Sequence, residues 1–143
     1  MRHLRNMSKL GRNCGHRKAL LVNLACSLIE HGQIKTTINR AKETRKMVDA
    51  LITYGKKGGE HNRRLAIAKL KINTPSDKAQ GKNIVMEKLF GELAERYANR
   101  PGGYTRILHL GHRIGEGSKF VMIQLVNDAA PAAAEATIEA KAE

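Results

Sequence analysis

The residues in this sequence best equipped for chemistry are cations. Arg2, Arg5, Lys9, Arg12, Arg17 and Lys18 fall within the first 18 positions, and the first acid is Glu30. Guanidinium forks grip phosphate oxygens in pairs. Bases spaced along an extended segment reach successive phosphates and so position a chain on a nucleic acid. His3 and His16 add hydrogen-bonding groups, with or without charge. A solvated tail is the bland reading of a charged terminus, but no acid neutralises this one, which favours binding. Arg100-Pro101-Gly102-Gly103-Tyr104-Thr105-Arg106 is a second candidate. Two arginines flank glycines that let a phosphate approach the backbone closely, and Tyr104 offers a ring for stacking on a base or ribose. The same segment reads as a turn entering a hairpin, and a rigid turn is a good place for a phosphate clamp.

Further cations extend the pattern. Arg40, Lys42 and Arg45, with Lys46, give one helix a basic face that Lys56-Lys57 continues, and Arg63-Arg64 open another helix. Lys35 and Arg113 complete the candidate contacts. Each cluster alone also reads as a solubilising surface.

Lys and Arg total 26 against 13 acids, a net charge of +13. The last 17 residues hold Asp128, Glu135, Glu139 and Glu143 against Lys141, so residues 1–126 carry 25 bases and nine acids, a net +16. Such like charge repels itself unless a polyanion neutralises it. Nucleic acid is the leading partner, because each neutralised phosphate also releases counterions; an anionic membrane surface is the weaker alternative. Three Tyr, two Phe and no Trp cannot furnish the stacking platform that readers of single-stranded RNA use. Contacts to phosphate and 2′-OH groups of folded RNA fit better.

No catalytic constellation emerges, and the acids are expected on helix exteriors. The glycines from Gly111 to Gly117 lack the order of a phosphate-binding loop. Cys14-x-His16 and Cys26-x4-His31 are poorly spaced for zinc, so no metal, cofactor or small-molecule substrate is expected. Two cysteines are too few for a secreted disulfide framework and read as reduced thiols. The stretch from Ala19 to Ile29 is too short to span a bilayer. The acid-free start resembles a transit peptide in composition.

Positioning these groups falls to a series of short elements. Residues 1–16 lack an apolar period and read as an extended basic RNA-binding arm; residues 17–126 read as a globular α+β RNA-binding domain. Leu20, Leu21, Leu24, Ala25, Leu28 and Ile29 form the stripe of an amphipathic helix that Gly32 ends. Gln33–Thr37 alternates as a strand. A second helix covers about Arg40 to Tyr54. A third covers His61 to Lys71, with Leu65, Ala68 and Ile72 inside. A fourth covers Asn83 to Tyr97, with Val85, Met86, Leu89, Phe90, Leu93 and Tyr97 inside. Strands at about 105–111 and 120–126 form a hairpin. The acidic, Ala-rich residues 127–143 read as a disordered tail. The fold class is α+β, two layers in the order α-β-α-α-α-β-β, with helices on one face of a small three-stranded mixed sheet.

The same residues carry a resemblance. Met1-Arg2-His3, Leu10-Gly11-Arg12 and His16-Arg17-Lys18-Ala19-Leu20-Leu21 resemble the start of the bacterial large ribosomal subunit protein seventeen family. Ile34-Lys35-Thr36-Thr37, Arg40-Ala41-Lys42-Glu43, Asn62-Arg63-Arg64, Lys88-Leu89-Phe90 and Gly102-Gly103-Tyr104-Thr105-Arg106-Ile107 continue it to Gln124-Leu125-Val126. The resemblance starts at Met1, which argues against a cleaved leader. It implies a cytoplasmic, structural, non-catalytic ribosomal component with a two-layer α/β fold. That component would be bound to large-subunit ribosomal RNA near the polypeptide exit region, touching neighbouring ribosomal proteins, among them large-subunit protein thirty-two. Residues 73–83 look like an insertion, and Gly115–Lys119 departs from the family's usual turn. A small RNA-modifying enzyme and a DNA-binding regulator are the rival readings.

Overall fold

The computed structural model describes residues 8–72 and 83–126. Asn13, in extended backbone, accepts the His16 N–H at 2.9 Å through its side chain. Such a cap satisfies one of the donors a helix start leaves open, so α1 runs Cys14–His31. The helix thus begins three residues before Arg17, because a polar cap needs no apolar period to act. Gly32 closes α1 with its N–H on the Leu28 carbonyl at 2.9 Å. β1 (Gln33–Thr37), α2 (Ile38–Lys57) and α3 (Gly59–Leu70) follow. After residues 73–82, which lie outside the described ones and include most of the insertion seen in the sequence, come α4 (Asn83–Phe90), α5 (Glu92–Arg96), β2 (Thr105–His112) and β3 (Lys119–Leu125).

The single helix expected over Asn83–Tyr97 is therefore two. Gly91 breaks it at φ −102°, ψ −100°, outside helical geometry. The apolar stripe runs on across the break, with Val85, Met86, Leu89, Leu93 and Tyr97 all buried, which is why periodicity alone shows no interruption.

The two-layer α+β architecture is as expected: helices cover one face of a three-stranded sheet of order β1-β3-β2. The mixed sheet is corrected. Both pairings of the central β3 are antiparallel, with Ile34 opposite Ile123 and Ile107 opposite Ile123. A hairpin forces the β2–β3 pairing, and β1 takes the far edge of β3, so the two parallel strands never meet.

Side chains alternate across a pleated sheet. Thr36, Val121, Ile123, Leu125 and Thr105 are buried beneath the helices, joined there by Leu28, Leu51, Ile52, Leu70 and Leu89. α3 presents Ala66 and Leu70 to this core; Leu65 is 38% exposed and Ala68 is exposed. Both sets of positions satisfy helical spacing one step apart around the helix, so the pattern could not choose between them. α2 crosses α4 with almost no gap, since a Cβ on Gly55 would lie 2.5 Å from the Leu89 carbonyl oxygen.

The hairpin is tied back by two tyrosines. The Tyr97 hydroxyl donates to the Val126 carbonyl at 2.6 Å, and the Tyr97 and Tyr104 rings lie 5.1 Å apart, tilted. Tyr97→Phe keeps the ring and strips that carbonyl of its hydroxyl donor. A loss of about 1–2 kcal/mol is expected in urea unfolding.

Candidate nucleic-acid interface

Among the described residues, part of the expected cations gather into two regions. In the first, the root of the N-terminal arm is pinned to α2. The Ser8 N–H donates to Glu43 Oε1 at 3.2 Å, and Lys46 Nζ donates to the same oxygen at 3.1 Å. Glu43 is only 8% exposed, which corrects the expectation that the acids sit on helix exteriors. Its charge is met by a lysine and a backbone donor, as burial demands. The arm therefore leaves beside the exposed Lys42 and Lys46.

Lys9, His16 and Lys18 are exposed around the start of α1, with Arg12 and Arg17 half-buried. Arg12 turns its Nη1 to the Leu10 carbonyl at 3.0 Å and its Nε to His16 at 3.4 Å. The first turn of α1 holds no acid, so the positive end of the helix dipole adds to these charges. Arg2, His3 and Arg5 lie outside the described residues.

Glu43→Ala removes the acceptor shared by the Ser8 N–H and Lys46. We expect a stability loss of about 1–3 kcal/mol and faster tryptic cleavage after Lys9 and Arg12. Unchanged cleavage would mean that Glu43 does not hold the arm.

The second region is the turn before β2. Lys56, near the end of α2, donates to the Arg100 carbonyl at 2.5 Å and lies 5.5 Å from the centre of the Tyr104 ring. Arg100 Nε donates to the Gly102 carbonyl at 3.2 Å. Gly102 and Gly103 are exposed, and Gly103 adopts φ +68°, where a side chain would be strained. Arg106 points to solvent. Tyr104 does not: it is 2% exposed and packed on Tyr97. Stacking of Tyr104 on a base or ribose is therefore corrected; the ring is the floor that supports the turn.

The remaining candidates lie elsewhere. Arg40 is half-buried on α2 and Arg45 pairs with Asp49 at 3.7 Å. Burial pushes the Asp49 carboxyl above its ordinary value of 3.8, against the pull of Arg45 and of hydrogen bonds from Thr105 and the Tyr104 backbone. A raised carboxyl binds its proton more readily folded than unfolded, so this group lowers stability as pH rises above 3.8. Arg63 and Arg64 are exposed on α3, Arg64 beside Glu60 at 3.9 Å. Lys35 is exposed on β1. Arg113 pairs with Glu116 at 3.2 Å and lies 5.3 Å from the centre of the Phe120 ring.

Sequence reasoning missed Glu43 as an anchor, although Lys46 three residues on was a signal for a pair. It placed Lys56 on a basic face but missed its role as a clamp, which only the fold creates. Among the described residues, no group of three His, Cys, Asp or Glu could hold a metal, and no helix is long and apolar enough to cross a membrane.

A one-sided α+β sandwich with an acid-free cationic helix start and a lysine-clamped glycine turn defines a small, strongly basic α+β protein. The family model described as ribosomal protein L17 matches residues 20–126. The protein named large ribosomal subunit protein bL17 from Novosphingobium aromaticivorans is 50% identical, over 89% of this chain and 83% of its own. Its namesake from Myxococcus xanthus is 44% identical over 99% of this chain and 96% of its own, and that from Erythrobacter litoralis is 46% identical over 89% and 84%. The chain belongs to the ribosomal protein L17 family. That family is a structural, non-enzymatic component of the ribosome.

Proposed function

We propose that this chain binds folded large-subunit ribosomal RNA mainly through phosphate contacts, and so supports assembly of the subunit and translation. As a member of its family it is a structural constituent of the bacterial large ribosomal subunit, in the cytoplasm. Residues 1–16 act as the RNA-binding arm and residues 17–126 as the globular RNA-binding domain. The acidic residues 127–143, expected from the sequence to be a disordered tail, lie outside the described ones. Contact with large-subunit protein thirty-two belongs to the same proposal and rests on the family resemblance.

The observation that carries the reading is the anchoring of Ser8 by Glu43. It launches the arm from a fixed point beside the cations of α2 and the acid-free start of α1, so several phosphates can be engaged together.

The test is equilibrium binding of the purified protein to deproteinised large-subunit ribosomal RNA and to duplex DNA at matched salt. Tighter binding to the RNA, with a steep salt dependence, is expected. Equal or tighter binding to DNA would replace the proposal with the DNA-binding reading.

A further inference from the structure

Antiparallel partners share a face of a sheet and alternate along each strand, so the strand register defines what the helix-free face displays. One cross-strand row is Gln33, Gln124 and Arg106; the next is Lys35, Met122 and Leu108. Beyond them Thr37 pairs with Phe120, which faces Gly111, and Arg113 lies 5.3 Å from the Phe120 ring. Leu108 is 37% exposed and Leu110, beside the β-bulge, is 47% exposed. None of the three strands contains an Asp or Glu.

This face is thus an apolar strip flanked by amides and cations, built from β1 and from a hairpin far along the chain from it. We propose that it docks the minor groove of a ribosomal RNA helix, an assignment that rests on the RNA-binding reading above.

Charge complementarity selects the partner. Lys35, Arg106 and Arg113 are exposed, and the three strands themselves carry no acid; Arg113 pairs with Glu116 in the turn. The minor groove of A-form RNA is wide and shallow and displays 2′-hydroxyls and base edges. Leu108 and Met122 pack against riboses, the amides of Gln33 and Gln124 hydrogen-bond the 2′-hydroxyls, and Lys35 and Arg106 reach the flanking phosphates. Outer strands of a three-stranded sheet stand about 10 Å apart, a width that a shallow groove accepts. The contact reads shape rather than sequence, in keeping with the lack of exposed aromatic platforms.

The full-length protein, a Leu108→Asn/Met122→Gln variant, a Lys35→Ala/Arg106→Ala variant and a deletion of residues 2–12 are titrated onto deproteinised large-subunit ribosomal RNA over a salt series. Ribose protection is read by hydroxyl-radical footprinting. The apolar variant should bind about tenfold more weakly, with an unchanged salt slope and one discrete block of ribose protection gone. The charge variant should lose the same block, and its slope should fall by about one for each phosphate no longer neutralised. The arm deletion should keep that block and lose others.

If both sheet variants keep their affinity and every protected ribose while the arm deletion loses its own, the inference falls and the RNA-binding reading stands. If the full-length protein protects no ribose, both fall. If RNA binding is unchanged but the sheet variants no longer sediment with large subunits, the face belongs to a neighbouring protein and the RNA assignment is overturned.

Discussion

Deleting residues 2–12 weakens binding to large-subunit ribosomal RNA by at least about 100-fold near ~0.1 M salt and lowers the salt slope by up to about 3.6. The deletion removes Arg2, Arg5, Lys9 and Arg12, and each phosphate left without its cation lowers the slope by roughly 0.9. The fold survives, because the Asn13 cap stays in place and, among the described residues, the buried ones begin at Val22. Losing the Ser8 N–H leaves the buried Glu43 carboxylate with Lys46 as a partner, so stability drops by only about 1 kcal/mol. Binding at several salt concentrations, with urea unfolding as a control, checks both halves. An unchanged slope would take the arm out of the interface.

Gly55→Val should have the largest effect on stability. Real Cβ atoms essentially never come within 3.0 Å of another heavy atom, and here one would sit 2.5 Å from the Leu89 oxygen and 3.3 Å from its carbon. The obstacle is backbone and cannot rotate away. α2 and α4 must separate, opening a gap beside Leu51, Ile52 and Leu89, all fully buried. A cost of about 3 kcal/mol or more is expected, seen as a lower urea midpoint. Gly55→Ala should shift it in the same direction by less. A change below about 1 kcal/mol for the valine variant would show that the helices are not in backbone contact.

Much of this was legible before the fold was known, for identifiable reasons. The apolar faces of α1 and α2 are wide, the Gly32 cap has a local signature, and the hairpin is announced by glycines between β-rich runs. Where two neighbouring stripes fit the same period, as on α3, only packing chooses between Leu65 and Ala66. Tyr104 shows the limit for the site. Its sequence neighbours are those of a phosphate clamp, yet its ring is claimed by Tyr97 and Lys56, which lie seven and 48 positions away. Glu43 shows the converse, an acid drawn inward because the arm returns to meet it. The rows on the open sheet face were illegible for the same reason: Lys35, Met122 and Leu108 become neighbours only through register, which is a long-range property.

The most direct test is crosslink mapping of the intact protein within assembled large subunits. RNA crosslinks should concentrate on peptides covering residues 2–18, with residues 100–106 second. Crosslinks confined to other peptides, such as the one carrying Arg63 and Arg64, or absence of the protein from the large-subunit fraction, would contradict an RNA grip centred on the arm and the glycine turn.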